Sequence, residues 1–177
     1  MVACDETIMR MFPPLRAAWS PVGEQAEVPI SGRNDKRVIY AALNLRTGHR
    51  IALVRRRTGT VEFCEFLRLR RRHYRHRPLV LLLDHAPWHI PKRVLALASE
   101  LAIELMWLPK QSPELNPMDH LFREMKRIIA ATRQIQPLDQ HVTIAVDWMM
   151  ALTPTQTRTK AALRSPSFWL FPLSKNF

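Results

Sequence analysis

Apolar residues along the chain fall into two kinds of stretch, short runs of strand length and longer stretches repeating at helical spacing. Residues 1–5 (MVACD) predict a short apolar strand that runs into a carboxylate. A loop follows from Phe12 to Asp35, punctuated by Pro13, Pro14, Pro21, Pro29, Gly23 and Gly32. Val38 to Asn44 (VIYAALN) and His49 to Val54 (HRIALV) flank Leu45 to Gly48, the pattern of a β-hairpin. From Thr60 to His76, Val61, Phe63, Phe66, Leu67 and Tyr74 recur at mostly helical spacing among Arg68, Arg70, Arg71, Arg72 and Arg75. That pattern predicts an amphipathic, basic helix.

Pro78 ends this helix, and Leu79 to Leu83 (LVLLL) reads as a strand buried on both faces, with Asp84 at its C-terminal end. Pro91 to Leu101 predicts a crossover helix packed through Val94, Leu95, Leu97, Ala98 and Leu101. Ile103 to Leu108 is another strand, and a proline-rich loop from Pro109 to Pro117 leads to a helix over Met118 to Thr132. Leu121, Phe122, Met125, Ile128 and Ile129 form its apolar side, and Asp119 falls in its first turn. A last helix covers Leu138 to Leu152, and residues 153–177 are set apart as a C-terminal tail. This order predicts an α/β domain over residues 1–152, with a mixed five-stranded sheet flanked by helices. The sheet is expected to be antiparallel at the hairpin and parallel across the helical crossovers.

Composition narrows the class of protein. No window holds the roughly 18 uninterrupted apolar residues of a membrane span, and the start lacks the features of a signal peptide. With only Cys4 and Cys64, a disulfide framework is excluded, and a reducing, cytoplasmic setting is expected. The net charge is +12, and the stretch from Arg33 to Arg77 supplies +11 of it, with 14 basic and 3 acidic side chains. A charge cluster of this kind attracts a polyanion, because each neutralised phosphate releases counterions. DNA is the expected partner, with Arg55, Arg56, Arg57, Arg71, Arg72, His89 and Lys126 as candidate contacts. A solvated arginine-rich face is the competing reading.

Candidate chemistry begins with Asp84, since a carboxylate directly after LVLLL is costly to bury without a partner. Sites in open α/β sheets collect at the C-terminal strand ends, where Asp5 also lies if the two strands run side by side. Asp119 is placed to close the group. Three carboxylates without a thiolate and imidazole set favour Mg²⁺ or Mn²⁺ over zinc. A pair of such ions serves in-line phosphoryl displacement. Each aspartate alone also suits an N-cap or a turn, and Asp119 most of all. His73, His76, His85 and Cys64 match no zinc-finger spacing. Trp88 and Trp107 suit either base stacking or packing beside the core strands.

The segment LLLDHAPWH, followed by LPKQSPELNPMDHLFREMKR, resembles the D-N-A-x-x-H and L-P-x-x-S-P-x-L-N-P-x-E/D motifs of mariner-like transposases, particularly their bacterial insertion-sequence branch. Between Asp84 and Asp119 lie 34 residues, as in the mariner pattern. Upstream, Asp5-Glu6-Thr7 and the segment Trp19 to Gly23 resemble the first motif and the Trp and Gly that follow it. The likeness runs from Met1 to Ala130. His85 stands where Asn is usual, Lys110-Gln111 replaces Pro-Tyr, and Phe122 replaces a frequent Trp.

The resemblance implies a ribonuclease H-like fold and a two-metal mechanism with Asp5, Asp84 and Asp119 as catalytic metal ligands. Glu124 rivals Asp119 for the third place but lies more than a helical turn beyond the matching position. His89 matches the family's His after the second Asp, as a phosphate contact or as support for the metal ligands, and a plain surface or helix-capping histidine is the competing reading. The implied activity is DNA cleavage and strand transfer in cut-and-paste transposition, using terminal inverted repeats and a TA-type target. A homo-oligomer near the bacterial nucleoid is expected. Such transposases carry N-terminal helix-turn-helix modules, and none precedes Asp5, which suggests a separately encoded DNA-binding half or a truncated, inactive remnant that only binds DNA.

Overall fold

The computed structural model describes residues 1–11, 19–24, 34–75, 77–129 and 137–172. Among these residues the strands form one five-stranded sheet in the order β3-β2-β1-β4-β5. The strands are β1 (Val2–Arg10), β2 (Lys36–Asn44), β3 (Arg50–Arg55), β4 (Leu79–Leu83) and β5 (Ile103–Trp107). Pairing is antiparallel from β1 through β2 to β3 and parallel from β1 through β4 to β5. The expected mixed sheet is therefore present. Most of the Phe12–Asp35 loop lies outside the described residues.

The hairpin closes because Asn44 folds back on its own turn. Its Oδ1 accepts hydrogen bonds from the backbone N–H groups of Arg46 and Thr47, both at 3.0 Å. Gly48 completes the turn at φ +72°, and a Cβ there would stand 2.8 Å from the carbonyl oxygen of Pro154. Both the backbone conformation and the close approach require glycine.

Helices cover both faces of the sheet, and the strand sequences record which face each side chain serves. On one face α1 (Thr60–His73) and α2 (Lys92–Glu100) pack through Phe63, Phe66, Leu67, Val94 and Leu97. They meet Val2, Cys4, Val38, Tyr40, Leu81 and Leu83. On the other, α3 (Pro117–Ile129) and α4 (Leu138–Ala151) bring Met118, Leu121, Phe122, Met125, Val142 and Met149 against Ala3, Ile39, Ala41 and Leu82. Cover on both sides explains why β4 is continuously apolar instead of alternating.

Several expectations change. β1 continues to Arg10, so Asp5 sits within a nine-residue strand and not at its end. The extra length comes from pairing with β2, which holds β1 in register from Val2 to Arg10. Arg70, expected among the exposed basic residues of α1, is fully buried. It follows Phe63 by two helical turns, and its guanidinium stacks 5.0 Å from the Tyr74 ring centroid. Val61 and Leu95, assigned to apolar faces, are 44% and 42% exposed. The segment after Leu152 forms α5 (Pro154–Lys160) and adds Ala161, Leu163 and Leu170 to the core. α5 starts with a capping box in which Thr153 and Gln156 exchange side-chain to backbone hydrogen bonds.

One cation fastens this C-terminal segment to the hairpin. Arg50 is nearly buried and donates to the carbonyls of Gly48 (3.1 Å), Met150 (3.0 Å) and Leu152 (2.6 Å), and to the hydroxyl of Thr157. Two of these carbonyls belong to the end of α4, whose last turn has no intrahelical donors of its own. Replacing Arg50 with Met strands them, and should lower the unfolding free energy by about 3 kcal/mol. Urea denaturation checks this, and a loss under about 1 kcal/mol contradicts the assigned role.

Candidate active site

The site grows from the register of the two central parallel strands. Val2 pairs with Leu81 and Ala3 with Leu82, so carrying the register two residues on sets Asp5 level with Asp84. Ala3 and Leu82 share the α3 and α4 face, and the two-residue repeat of a strand gives Asp5 that same face. Pairing stops beyond Ala3 while β1 runs on along β2. Sites of parallel sheets collect at these carboxyl strand ends, which makes the ground between β1 and β4 beside Asp5 the candidate crevice.

Asn116 brings the third carboxylate to this crevice. Its Nδ2 donates to the Cys4 carbonyl at 3.0 Å, and its Oδ1 accepts from the Met118 N–H at 3.0 Å. It therefore caps α3 and pins that helix to β1 one residue before Asp5. Pro117 begins the helix, where its missing N–H costs nothing. Asp119 lies in the first turn.

Electrostatics shows that the three carboxylates share one field. Burial raises the pKa of Asp5 to about 8, the charges of Glu6, Asp84 and Asp119 add to that effect, and a hydrogen bond from the Glu6 N–H opposes it. Lys126 sits two turns along α3 from Asp119, and burial lowers its pKa against the opposing pull of Asp119 and Asp5. Glu124 faces elsewhere, paired with Arg127 at 3.0 Å and Lys160 at 3.7 Å.

Each outer aspartate already has a protein partner. Asp119 pairs with Arg123 at 2.6 Å. Asp84 Oδ1 accepts from the Ala86 N–H at 3.1 Å and contacts His89 Nδ1 at 2.9 Å. Among the described residues no three acidic, imidazole or thiol groups stand close enough to form a metal cluster. The donor set nonetheless fits a hard divalent cation, for Asp5 is a buried carboxylate crowded by three others. A cation would relieve that crowding and compete with Arg123 for Asp119.

The remaining candidates divide. His89 is fully buried, held by Asp84 through Nδ1 and by Glu6 through Nε2 at 3.0 Å. Burial opposes its charged form, but the two carboxylates prevail and raise its pKa to about 9. The same contact holds the Asp84 carboxyl below its usual range despite burial. In this arrangement both ring nitrogens face carboxylates, and neither is turned to solvent. Arg55 and Arg57 pair with Glu65 and Glu62, each at 2.7 Å, while Arg56 between them is exposed. These three lie at the end of β3, the same end of the sheet as Asp5. Arg71 and Arg72 lie at the far end of α1, roughly 20 Å along that helix. Trp88 donates to Glu6 at 3.1 Å, and Trp107 stacks on His85 at 5.1 Å; both pack against the α1 and α2 core.

Sequence reasoning did not single out Glu6 or Asn116. The Asn-Pro pair before an amphipathic helix signals the cap on Asn116. Glu6 stands in the motif Asp5-Glu6-Thr7, but its partners do not show there, since only the fold brings Trp88 and His89 to it.

Strand order and helical cover are those of a ribonuclease H-like domain. The fold is shared with the Mos1 transposase paired-end complex with left transposon end, at a TM-score of 0.71 and 18% identity over 92% of this chain and 51% of that one. The mariner Mos1 paired end complex with Mg matches with the same values. Residues 1–141 match the family described as DDE superfamily endonuclease, and the chain belongs to that family. The uncharacterized protein y4pE/y4sA of Sinorhizobium fredii (strain NBRC 101917 / NGR234) is 36% identical over 64 residues, 36% of this chain and 45% of that protein. The chain thus spans about half the length of these relatives.

The shifted groups make stability depend on pH and metal together. Asp5 holds its proton to about pH 8 when folded and to 3.8 as a free side chain. Between those values the folded state binds more protons, and stability falls as pH rises. His89, raised from 6.5 to about 9, contributes stability present below 6.5 and lost as pH climbs through 9. In chelator-treated protein the melting temperature should fall from about pH 6.5 to about pH 9. The gain from added Mg²⁺ or Mn²⁺ should grow over that range, as a cation replaces the proton on Asp5. Thermal melts at stepped pH test this; a metal gain that does not change with pH contradicts it.

Proposed function

We propose that the chain is the catalytic domain of a transposase that cleaves DNA and transfers strands in cut-and-paste transposition. Asp5, Asp84 and Asp119 act as ligands for Mg²⁺ or Mn²⁺, with two ions in the complete site. The observation that carries this reading is geometric: the strand register sets Asp5 level with Asp84, and Asn116 holds the first turn of α3, with Asp119, against β1 beside them. No helix among the described residues is long and apolar enough to cross a membrane.

Divalent cations at this position supply activation of an attacking oxygen and stabilisation of a leaving one. The protein groups do the rest. Asn116 holds the start of α3 against β1, which keeps Asp119 near Asp5. Lys126 offsets part of the carboxylate charge beside an incoming phosphate. Arg56, exposed at the same end of the sheet, attracts the DNA backbone, and Arg55 and Arg57 stand on either side of it. The terminal inverted repeats, a TA-type target and a homo-oligomeric assembly complete the proposal.

The test separates chemistry from binding. With Mg²⁺ and DNA carrying transposon ends, the parent protein should yield nicked and joined products, and Asp84→Asn should reduce both to background. Asp84→Asn should leave the salt dependence of DNA binding unchanged, whereas Arg56→Ala should reduce its slope by about one. Binding without cleavage by the parent protein supports instead a remnant that only binds DNA. Cleavage without joined products points to a hydrolytic nuclease.

A further inference from the structure

A second buried carboxylate lies beside Asp5 in sequence and on the opposite face of the sheet. Glu6 shares the face of Val2 and Cys4, and its side chain is 4% exposed. Both of its oxygens are engaged: Oε1 with His89 Nε2 at 3.0 Å and Oε2 with the Trp88 indole N–H at 3.1 Å. His89 is fixed in turn, fully buried with its ring 4.1 Å from that of Phe63. Its other nitrogen, Nδ1, lies 2.9 Å from Asp84 Oδ1 and 3.2 Å from the Asp84 backbone carbonyl, so both the side chain and the main chain of Asp84 are held by this ring. An unbroken chain of contacts therefore runs from Glu6 through an enclosed imidazole to an aspartate at the crevice.

We infer that Glu6 is a positioning residue, which acts through His89 to fix the carboxylate of Asp84 for a divalent cation. The contacts from His89 and from the Ala86 N–H both fall on Oδ1. One oxygen of Asp84 is thus tied into the protein, which restricts rotation of the carboxylate and leaves Oδ2 for a ligand. Trp88 holds Glu6 from its other side, so the relay has a fixed origin. A buried carboxylate and imidazole placed merely to satisfy each other require no third group. Here the imidazole is shared with the one aspartate of the crevice that follows β4. Outer partners of this kind orient the ligand, and their loss costs about 10- to 100-fold in metal affinity.

This inference rests on the assignment of Asp84 as a metal ligand, and the experiment keeps the two apart. Glu6→Gln replaces one acceptor oxygen with an amide donor, so Trp88 and His89 can no longer both donate to it. Mn²⁺ binding to the parent protein, Asp84→Asn, Glu6→Gln, His89→Ala and the Glu6→Gln/His89→Ala pair is measured by electron paramagnetic resonance, alongside thermal melts. The Mn²⁺ dependence of DNA cleavage is followed on the same set.

Glu6→Gln should weaken Mn²⁺ binding about 10-fold or more and raise the Mn²⁺ midpoint of cleavage in step, with the KM for DNA unchanged. The double variant should be no weaker than His89→Ala alone, because both changes break one path. If Glu6→Gln does not fold, Trp88→Phe frees one Glu6 oxygen without deleting its charge and should shift the midpoint in the same direction by less. Unchanged Mn²⁺ affinity in folded Glu6→Gln or Trp88→Phe, or additive losses in the double variant, overturn the inference. Failure of Asp84→Asn to weaken Mn²⁺ binding overturns instead the ligand assignment.

Discussion

Two parallel backbone pairs, Val2 with Leu81 and Ala3 with Leu82, set the geometry on which the rest of the site depends. The side chains there are apolar and fully enclosed, so the strands have little freedom to slip. A one-residue shift would send Ala3 and Leu82 to opposite faces and separate Asp5 from Asp84 as well. The core thus specifies the site, since the residues that fill the two layers also fix which carboxylates meet. That β1 continues along β2 after leaving β4 keeps Asp5 within a paired, fixed strand.

Concentrating negative charge in such a crevice is unfavourable, and the surrounding residues distribute the cost. Asp5, the most deeply placed, keeps its proton to about pH 8. Asp84 instead stays charged through His89, and Asp119 pairs with Arg123. Lys126 tempers the field from the side of α3. The three acids therefore answer one repulsion in different ways, by protonation, by pairing with a buried imidazole and by pairing with an exposed guanidinium. A divalent cation held by these three acids would compete with all three arrangements at once, coupling its binding to proton release and to movement of Arg123.

Sequence and structure agree most closely where a single element carries the signal. LVLLL followed by Asp84 reads as a buried strand with a carboxylate at its end, and the amphipathic α3 places Asp119 in its first turn. Agreement weakens where the signal is a pairing. β1 extends to Arg10 because β2 holds it, and a chain pattern alone does not reveal that partner. Arg50 and Arg70 look like other arginines in a basic stretch, yet one binds the end of α4 and the other is stacked inside the helical layer. Glu6 reads as an ordinary strand residue until Trp88 and His89, more than 80 positions away, close around it.

The basic stretch shows why charge in sequence differs from charge in space. Arg55, Arg56 and Arg57 leave β3 at the end of the sheet that holds the carboxylates, whereas α1 carries Arg71 and Arg72 to its other end. Of the first group, Arg55 and Arg57 are already paired with glutamates on α1, which ties β3 to that helix. The Arg55–Glu65 pair is exposed on both sides and contributes little to stability, while Arg57 reaches a Glu62 that is itself nearly buried. On the proposed reading, Arg56 is the arginine of this group that is open to a phosphate, and Arg55 and Arg57 would follow only by releasing Glu65 and Glu62. The far arginines lie about a helix length from the acids, so one phosphate cannot touch both groups. A DNA contact by both groups would therefore require the duplex to run along the flank of α1.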